Sequence, residues 1–281
     1  SKVSCLWQLL ANEFFCDISF SLSPVHCMPQ AEVHPHSYWS TGIYLRTSKR
    51  PSGMILSLAI YSSTSLWCQR CIVVGNGHSI HGQRFGNLID SHHVIIRLND
   101  APVREYKKDV GERTSIRLFF PESALPNPLE NNDNDTLMVF VPFKPSDFLW
   151  LREVLLKTRN KVGFWYQPPQ QWNGNISQLR VLNPYVTYEA TYKLLQLNMF
   201  SLFPSQRYAT MGIIALNLAL HICQEVNIAG FGYPGNHDNT APIHYYNTGR
   251  SRKEEGNWLL KMIERGVIAD LASPAFQAQN R

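Results

Sequence analysis

The sequence predicts an α/β fold built on a mostly parallel sheet, because short apolar strands alternate with longer connectors. Three strands carry the signal, at 72–74, 94–98 and 115–119. Each is rich in β-branched or apolar residues and ends in glycine or a small polar residue, which is typical of buried parallel strands. Ligands bind beyond the carboxyl ends of such strands. We therefore expect Asn76 and Asn99, which follow two of them, to face one small molecule.

The remaining elements continue the alternation of strand and helix. The helix that follows residue 211 is apolar almost all round and is therefore expected to be buried. In chain order, the further predicted elements are a strand at 136–141, a helix at 146–156, a strand at 180–182, a helix near 185–195, the buried helix at 212–223, a strand at 226–230 and a last helix near 254–265.

The chain divides into two parts at Trp67. Residues 1–66 show no sustained periodicity, and they are predicted to be a poorly defined stem or a variant N-terminal segment. Residues 67–281 hold all the predicted elements and are expected to form one domain, for which a hydrophobic content of 44% supplies a sizeable core.

Composition excludes some classes of partner. The net charge of +5 is mild and its basic residues are scattered, so no nucleic-acid footprint is expected. No apolar run reaches the roughly 18 residues of a membrane span. Two acceptor tripeptides predict N-glycosylation at Asn134 and Asn175, which favours a secretory lumen where disulfides are permitted.

The turn Gly75-Asn76-Gly77 after the first strand is similar to a nucleotide-binding turn, but it departs from the dinucleotide fingerprint. Ile80 stands where the third glycine belongs, and no acidic residue closes the second strand. A nicotinamide-dependent oxidoreductase therefore stays as an alternative. A second alternative is that these glycines only make a tight turn.

Two further features suit an anionic ligand. Thr210 precedes the buried helix, where it could cap free backbone N–H groups, and this positive end suits a phosphate or carboxylate. His244 is flanked by tyrosines, and an imidazole can hold an anion or move a proton. Each also has a structural interpretation, as an ordinary capped core helix and as a structural histidine.

No metal site is expected. Asp133-Asn134-Asp135 is similar to the acid pair that holds a metal diphosphate in many sugar transferases, but it overlaps a glycosylation acceptor. Cys68 and Cys71 have the spacing of half a zinc site, yet no second pair matches them.

Taken in order, these segments resemble the animal sialyltransferase family. The block from Cys71 to Ser123 resembles the large sialyl motif of that family, residues 207–230 resemble the small motif, and His244-Tyr245-Tyr246 resembles the third. The runs 230–234 and 163–165 look most like the β-galactoside α-2,3-sialyltransferases. The resemblance covers roughly residues 67–270.

This resemblance implies a Rossmann-like glycosyltransferase of the GT-A type with a mostly parallel central sheet flanked by helices. It implies inverting transfer of sialic acid from CMP-sialic acid to the 3-hydroxyl of a terminal β-galactose on glycoproteins or glycolipids. It also implies no metal cofactor, an anchor upstream of this chain, and residence on the luminal side of the Golgi membrane in a type II topology, or secretion after cleavage.

The resemblance also assigns the donor contacts. Asn76 and Asn99 are expected to bind the cytidine ribose and phosphate, and Thr210 and Gly212 the cytidine and carboxylate side of the donor. Tyr208 is expected at the junction between donor and acceptor.

Catalytic and covalent roles follow from the same resemblance. His244 is the catalytic candidate, because it would hydrogen-bond the leaving phosphate and stabilise its growing charge. Cys71 and Cys223 match the cysteines that join the two long motifs by a disulfide.

The main departure from the family pattern concerns the base that should take the proton of the galactose hydroxyl. Arg250 occupies the position where the family has a histidine, about five residues before Glu255. Arginine is a poor base, because its pKa stays far above neutral. Two hypotheses remain: an active enzyme in which His237 or His244 takes the proton, or an impaired variant that keeps the fold and the donor site.

Overall fold

The predicted mostly parallel sheet flanked by helices is confirmed. The computed structural model describes residues 15–16, 68–158, 164, 167–197, 208–232, 244–246 and 253–272. Its strands are β1 Phe15–Cys16, β2 Cys68–Val74, β3 Val94–Leu98, β4 Ile116–Phe119, β5 Leu137–Phe140, β6 Leu179–Leu182, β7 Cys223–Ala229 and β8 Ala269–Asp270. They form one eight-stranded sheet in the order β1-β6-β5-β4-β3-β2-β7-β8.

Helices fill the connections between these strands. The α-helices are α1 Gly86–Asp90, α2 Lys107–Val110, α3 Pro145–Leu155, α4 Pro184–Tyr188, α5 Met211–Ile222 and α6 Lys253–Glu264. A π-helical segment, Glu189–Leu194, continues α4. Short 3-10 turns lie at His78–Ile80, Arg104–Tyr106, Pro121–Ser123, Pro128–Glu130 and Ile176–Gln178. The predicted helices therefore all exist, with bounds that differ by a residue or two.

Every neighbouring pair of strands is parallel except β1 and β6. From β2 the chain moves through β3, β4, β5 and β6 towards one edge, and then returns so that β7 pairs on the other side of β2. The strand order thus reverses between β2 and β7. In open α/β sheets a ligand binds at the carboxyl ends of the strands beside such a switch point.

The buried helix α5 covers one face of the sheet. Nine of its twelve residues are buried, and it packs against β2, β3, β4 and β7. It meets the inward side chains of alternate strand residues, such as Cys71 and Val73 on β2. The intervening residues Ile72 and Val74 join a second cluster on the opposite face. The apolar composition of α5 is therefore explained by burial in the core.

A disulfide joins Cys71 and Cys223, as the resemblance implied, with their Cα atoms 6.1 Å apart. Cys71 lies in β2, and Cys223 is the residue at which α5 ends and β7 begins. The bond therefore ties together the two strands that flank the switch point.

Candidate functional site

Glycines allow the chain to pass closely at the switch point. The Gly75 N–H donates to the Ala229 carbonyl at 2.8 Å, and the Gly77 N–H donates to the Gly230 carbonyl. A Cβ atom added at Gly75 would lie 2.4 Å from the Gly230 oxygen. Gly230 itself has a φ of 73°, in the left-handed region. These glycines are therefore required by close backbone approach as well as by a turn.

The segment 244–246 lies along this turn. Gly77 and His244 form an isolated antiparallel bridge, and the Tyr245 N–H donates to the Asn76 carbonyl at 3.0 Å. The Asn76 side chain donates to the Tyr246 hydroxyl at 3.1 Å. The structure therefore brings two of the predicted site residues, Asn76 and His244, together at the carboxyl end of β2. The His244 ring stacks on the Tyr246 ring, with centroids 5.4 Å apart.

Tyr245 connects this turn to the loop after β3. It is buried, its hydroxyl donates to the Pro102 carbonyl at 2.6 Å, and its ring meets Tyr106 edge-on at 5.0 Å. Burial raises the pKa of the Tyr245 phenol to about 12, and it also raises the pKa of Tyr246. Both phenols are therefore protonated at neutral pH, when the Tyr245 hydroxyl donates to Pro102 and the Tyr246 hydroxyl accepts from Asn76.

Asn99 stands level with Asn76 across the sheet. Val74 pairs with Arg97, and each asparagine follows two residues later. Asn99 has a φ of 57°, a conformation that asparagine tolerates better than most residues. Its side-chain Oδ1 is buried and has no hydrogen-bond partner in the described part of the chain. Because buried acceptors are usually satisfied, this atom is a candidate acceptor for a ligand donor.

The N-terminus of α5 lies against the same switch point. A Cβ atom at Gly212 would lie 3.0 Å from the Phe231 ring and 3.7 Å from the Thr210 hydroxyl. Phe231 follows Gly230, and its carbonyl accepts a hydrogen bond from Ser79 at 3.2 Å. The structure thus places Gly212 and Thr210 beside the end of β7.

Thr210 occupies the N-cap position of α5, but the predicted capping by its side chain is wrong. Its backbone carbonyl accepts from the Ile214 N–H at 3.0 Å, and its hydroxyl makes no capping bond to the helix. Within the described ranges, the N–H groups of the first turn of α5 therefore have no side-chain cap, an arrangement that suits an anion.

Tyr208 lies towards the ends of β4 and β5 and is 36% exposed. Its ring packs against Phe143 at 5.8 Å, and Phe143 packs against Phe120 at 5.7 Å. Lys144 stabilises the loops next to these rings, because its ammonium forms ion pairs at 2.9 Å with carboxylate oxygens of both Glu122 and Asp147. Tyr208 therefore belongs to a neighbouring aromatic surface, on the β4–β5 side of the site.

The other residues that the sequence analysis selected lie away from this site or outside the described residues. Arg250 and His237 lie outside the described residues, and of Glu255 only the helical backbone is described. Asn134 and Asn175 are both exposed. Asp133 accepts the Thr114 N–H at 2.8 Å, which gives it a structural role. Among the described residues, no cluster of three His, Cys, Asp or Glu side chains could hold a metal ion.

Sequence reasoning missed four residues that build the site: Tyr245, Tyr246, Phe231 and Arg117. The signal for Arg117 was available, since a charged residue stands in the middle of an apolar strand. Its Nη1 donates to the Asn99 carbonyl at 2.8 Å. The tyrosine contacts carry no local signal, because they join segments about 170 residues apart, as in the Asn76–Tyr246 bond.

Comparison with known families identifies the class of protein to which this fold and switch-point site belong. The family described as glycosyltransferase family 29 (sialyltransferase) matches residues 35–272, so the chain belongs to this family. The chain is thus an enzyme of the sialyltransferase class, and the resemblance found in the sequence is confirmed. No helix in the described ranges is both long enough and apolar enough to pass through a bilayer.

Named relatives narrow the class. The chain is 43% identical over 232 residues to CMP-N-acetylneuraminate-beta-galactosamide-alpha-2,3-sialyltransferase 4 of Homo sapiens, which covers 77% of this chain and 70% of the relative. It is 44% identical over 215 residues to the type 2 lactosamine alpha-2,3-sialyltransferase of Rattus norvegicus, covering 76% of this chain and 62% of the relative. The expected likeness to β-galactoside α-2,3-sialyltransferases is therefore confirmed.

Solved structures agree in fold. A crystal structure of a mammalian sialyltransferase in complex with Gal-beta-1-3GalNAc-ortho-nitrophenol is similar with a TM-score of 0.60 at 25% sequence identity. The match covers 72% of this chain and 69% of that one. The predicted Rossmann-like fold of the GT-A type is confirmed.

Proposed function

We propose that this chain transfers sialic acid from CMP-sialic acid to the 3-hydroxyl of a terminal β-galactose, with inversion at the sialyl centre. The observation that carries the proposal is that Asn76 and Asn99 follow adjacent parallel strands, while the N-terminus of α5 lies against Phe231, just after β7. The amide groups suit a ribose and a phosphate. The buried, unpartnered Oδ1 of Asn99 would accept a hydrogen bond from a ribose hydroxyl.

Electrostatics at this edge of the sheet suit an anionic donor. CMP-sialic acid carries one phosphate and one carboxylate, and the unsatisfied N–H groups of α5 form a positive helix end. The donor has a single phosphate, so a metal clamp is less necessary than for a diphosphate donor. We therefore propose a reaction without a metal cofactor.

His244 is the proposed catalytic residue at the leaving group. It lies against Gly77 through the antiparallel bridge, and its ring is supported by Tyr246. A hydrogen bond from this imidazole to the phosphate would stabilise the charge that grows as the glycosidic bond breaks. The acceptor galactose would approach from the side of Tyr208, opposite the departing phosphate, which gives inversion in one displacement.

The compartment is part of the same proposal. We propose a membrane-anchored enzyme of the Golgi lumen that acts on glycans of glycoproteins or glycolipids and is glycosylated at Asn134 and Asn175. The catalytic domain is proposed to begin at residue 67, and the family match from residue 35 allows an earlier start.

A transfer assay tests the function. The protein is incubated with CMP-sialic acid and a β-galactoside such as lactosamine, and CMP affinity is measured by calorimetry on the same preparation. We expect CMP binding and an α-2,3-linked product. CMP binding without product would support the impaired variant, and protection from thermal unfolding by NAD but not by CMP would instead support an oxidoreductase.

Replacing Asn99 should weaken donor binding. We expect Asn99→Ala to raise the Kd for CMP about 10- to 100-fold, the effect of losing one or two hydrogen bonds to a polar or charged ligand. Calorimetric titration with CMP measures the change. Asn99→Gly is the matched control, because glycine accepts the φ of 57° without strain and also lacks the amide. Wild-type affinity in both variants would remove Asn99 from the site.

Restoring a base should raise turnover. Arg250 stands where the family has a histidine, and loss of a general base typically costs about 10²- to 10⁴-fold in rate. We therefore expect Arg250→His to increase kcat in the transfer assay by at least about tenfold. Arg252→His, two residues away, is the matched control and should leave kcat unchanged. No gain at Arg250 would indicate that another group already takes the proton.

A further inference from the structure

Two buried arginine side chains project from adjacent strands of the sheet. Arg97 on β3 and Arg117 on β4 are paired neighbours, with 2% and 1% of their surfaces exposed. Burial lowers the pKa of Arg97 to about 10 and that of Arg117 to about 9. None of the ion pairs in the described ranges includes either residue. A buried charge without a carboxylate partner is unfavourable, so the hydrogen bonds of each guanidinium need a specific explanation.

Arg97 serves the chain before β4. Its Nε and Nη2 atoms donate to the Arg113 carbonyl at 3.1 and 2.9 Å, and Nη2 also donates to the Val110 carbonyl at 2.8 Å. Nε lies 3.1 Å from the Thr114 hydroxyl. These partners lie at the end of α2 and in the connection from α2 to β4. Arg97 is therefore a structural residue outside the candidate site.

Arg117 instead binds the loop that carries Asn99. Its Nη1 donates to the carbonyls of Asn99 at 2.8 Å and of Ala101 at 3.2 Å. The other two nitrogens donate to the Asn132 side chain at 2.6 Å and to the Asn131 carbonyl at 2.8 Å, which holds the guanidinium in place. The guanidinium thus links Asn131 and Asn132 to the two residues that flank Asp100.

We propose that Arg117 is a positioning residue of the donor site, which holds the Asn99 backbone in its left-handed conformation so that the carboxamide stays available to the donor. This inference rests on the proposed function of Asn99. Three observations support it: the φ of 57°, the direct bond from Nη1 to the Asn99 carbonyl, and the unpartnered Oδ1 of the same residue. Although asparagine tolerates the left-handed conformation better than most residues, the conformation is still unfavourable, so a bond that holds it in place is useful.

A lysine substitution distinguishes the effect of the donor geometry of arginine from the effect of its positive charge. Arg117→Lys keeps the positive charge but cannot reproduce the planar fork of donors. Arg97→Lys is the matched control, since it makes the same change at an equally buried neighbour that does not touch Asn99. In calorimetric titrations with CMP, we expect Arg117→Lys to raise the Kd about tenfold, the effect of one lost hydrogen bond, and Arg97→Lys to raise it less than about threefold. Equal effects of the two changes would overturn the inference.

Coupling to Asn99 distinguishes positioning from a general loss of stability. In an Asn99→Gly background no carboxamide remains to be positioned, so Arg117→Lys should then raise the Kd for CMP by less than about twofold. A tenfold rise in that background would overturn the inference. Asn132→Ala removes the acceptor that orients the guanidinium and should weaken CMP binding about threefold. An unchanged Kd in that variant would also count against positioning.

Hydrogen exchange keeps this test separate from the proposed function. The Asn99 N–H donates to the Leu118 carbonyl at 2.8 Å, so this amide is expected to be protected from exchange. Without any ligand, it should exchange faster in Arg117→Lys than in Arg97→Lys, because only the first change releases the loop that begins at Asn99. Equal exchange rates would overturn the positioning role. Failure of the wild-type protein to bind CMP would overturn the proposed function and leave the exchange result to decide the role of Arg117 in the fold.

Discussion

Removing the Cys71–Cys223 disulfide is expected to lower the free energy of unfolding by about 5 kcal/mol. The bond joins cysteines separated by 152 residues, and in the chain-entropy treatment its stabilisation grows with the logarithm of the closed loop. Both sulfur atoms lie in the core between α5 and the sheet, so alanine replaces them without adding a buried polar group. Denaturant unfolding of Cys71→Ala/Cys223→Ala against the parent protein measures the loss.

The single variants provide the control. Cys71→Ala and Cys223→Ala each break the same cross-link, so each should lose nearly as much stability as the double variant. Two small and additive losses would contradict the expectation, as would a thiol count that finds both cysteines reduced in the native protein. Because the bond joins β2 to the start of β7, the double variant should also bind CMP more weakly when folded.

Gly75→Ala is expected to destabilise the protein by about 3 kcal/mol, the upper end of the usual penalty for overpacking. The added methyl group would lie 2.4 Å from the Gly230 carbonyl oxygen and 3.0 Å from the Phe231 ring. The first contact is with backbone, so β2 and β7 would have to separate at the switch point. We therefore also expect at least a tenfold loss of CMP affinity, measured by calorimetry at a temperature where the variant is folded.

Gly82→Ala tests whether space is the cause. Gly82 has a φ of 77° but no atom within 4 Å of an added Cβ, so alanine there meets conformational strain without a clash. We expect a loss of about 1–2 kcal/mol and an unchanged Kd for CMP. A Gly75→Ala variant no less stable than Gly82→Ala would show that the strand ends can move apart easily.

Local sequence patterns were sufficient to find the elements of the fold. The apolar runs at 72–74 and 94–98 lie within β2 and β3, and the helix predicted at 212–223 is α5, shifted by one residue. These elements were predictable because burial on both faces requires continuous apolar residues, in strands and helices alike. The order of the strands was not predictable in this way, since β2 pairs with β7 across more than 140 residues of chain.

The residues of the candidate site could be predicted only in part from the sequence. Asn76 and Asn99 could be selected because polar residues directly follow apolar strands, and both lie at the expected edge of the sheet. Tyr208 was also expected near the junction, and the structure adds its aromatic neighbour Phe143. The absence of a capping bond from Thr210 was not foreseen, because capping depends on a side-chain rotamer that tertiary contacts select.

By itself, the sequence determined the fold class, the family and the residue types available for donor binding, because these depend on local periodicity and on motifs along the chain. Only the tertiary structure decided which of these residues meet. It placed His244 beside Gly77 and brought Gly75 close to the Gly230 carbonyl. It also directed the Arg117 guanidinium to the Asn99 carbonyl. The physical reason is that such contacts join segments far apart in sequence, and they form only when the strands have assembled into the sheet.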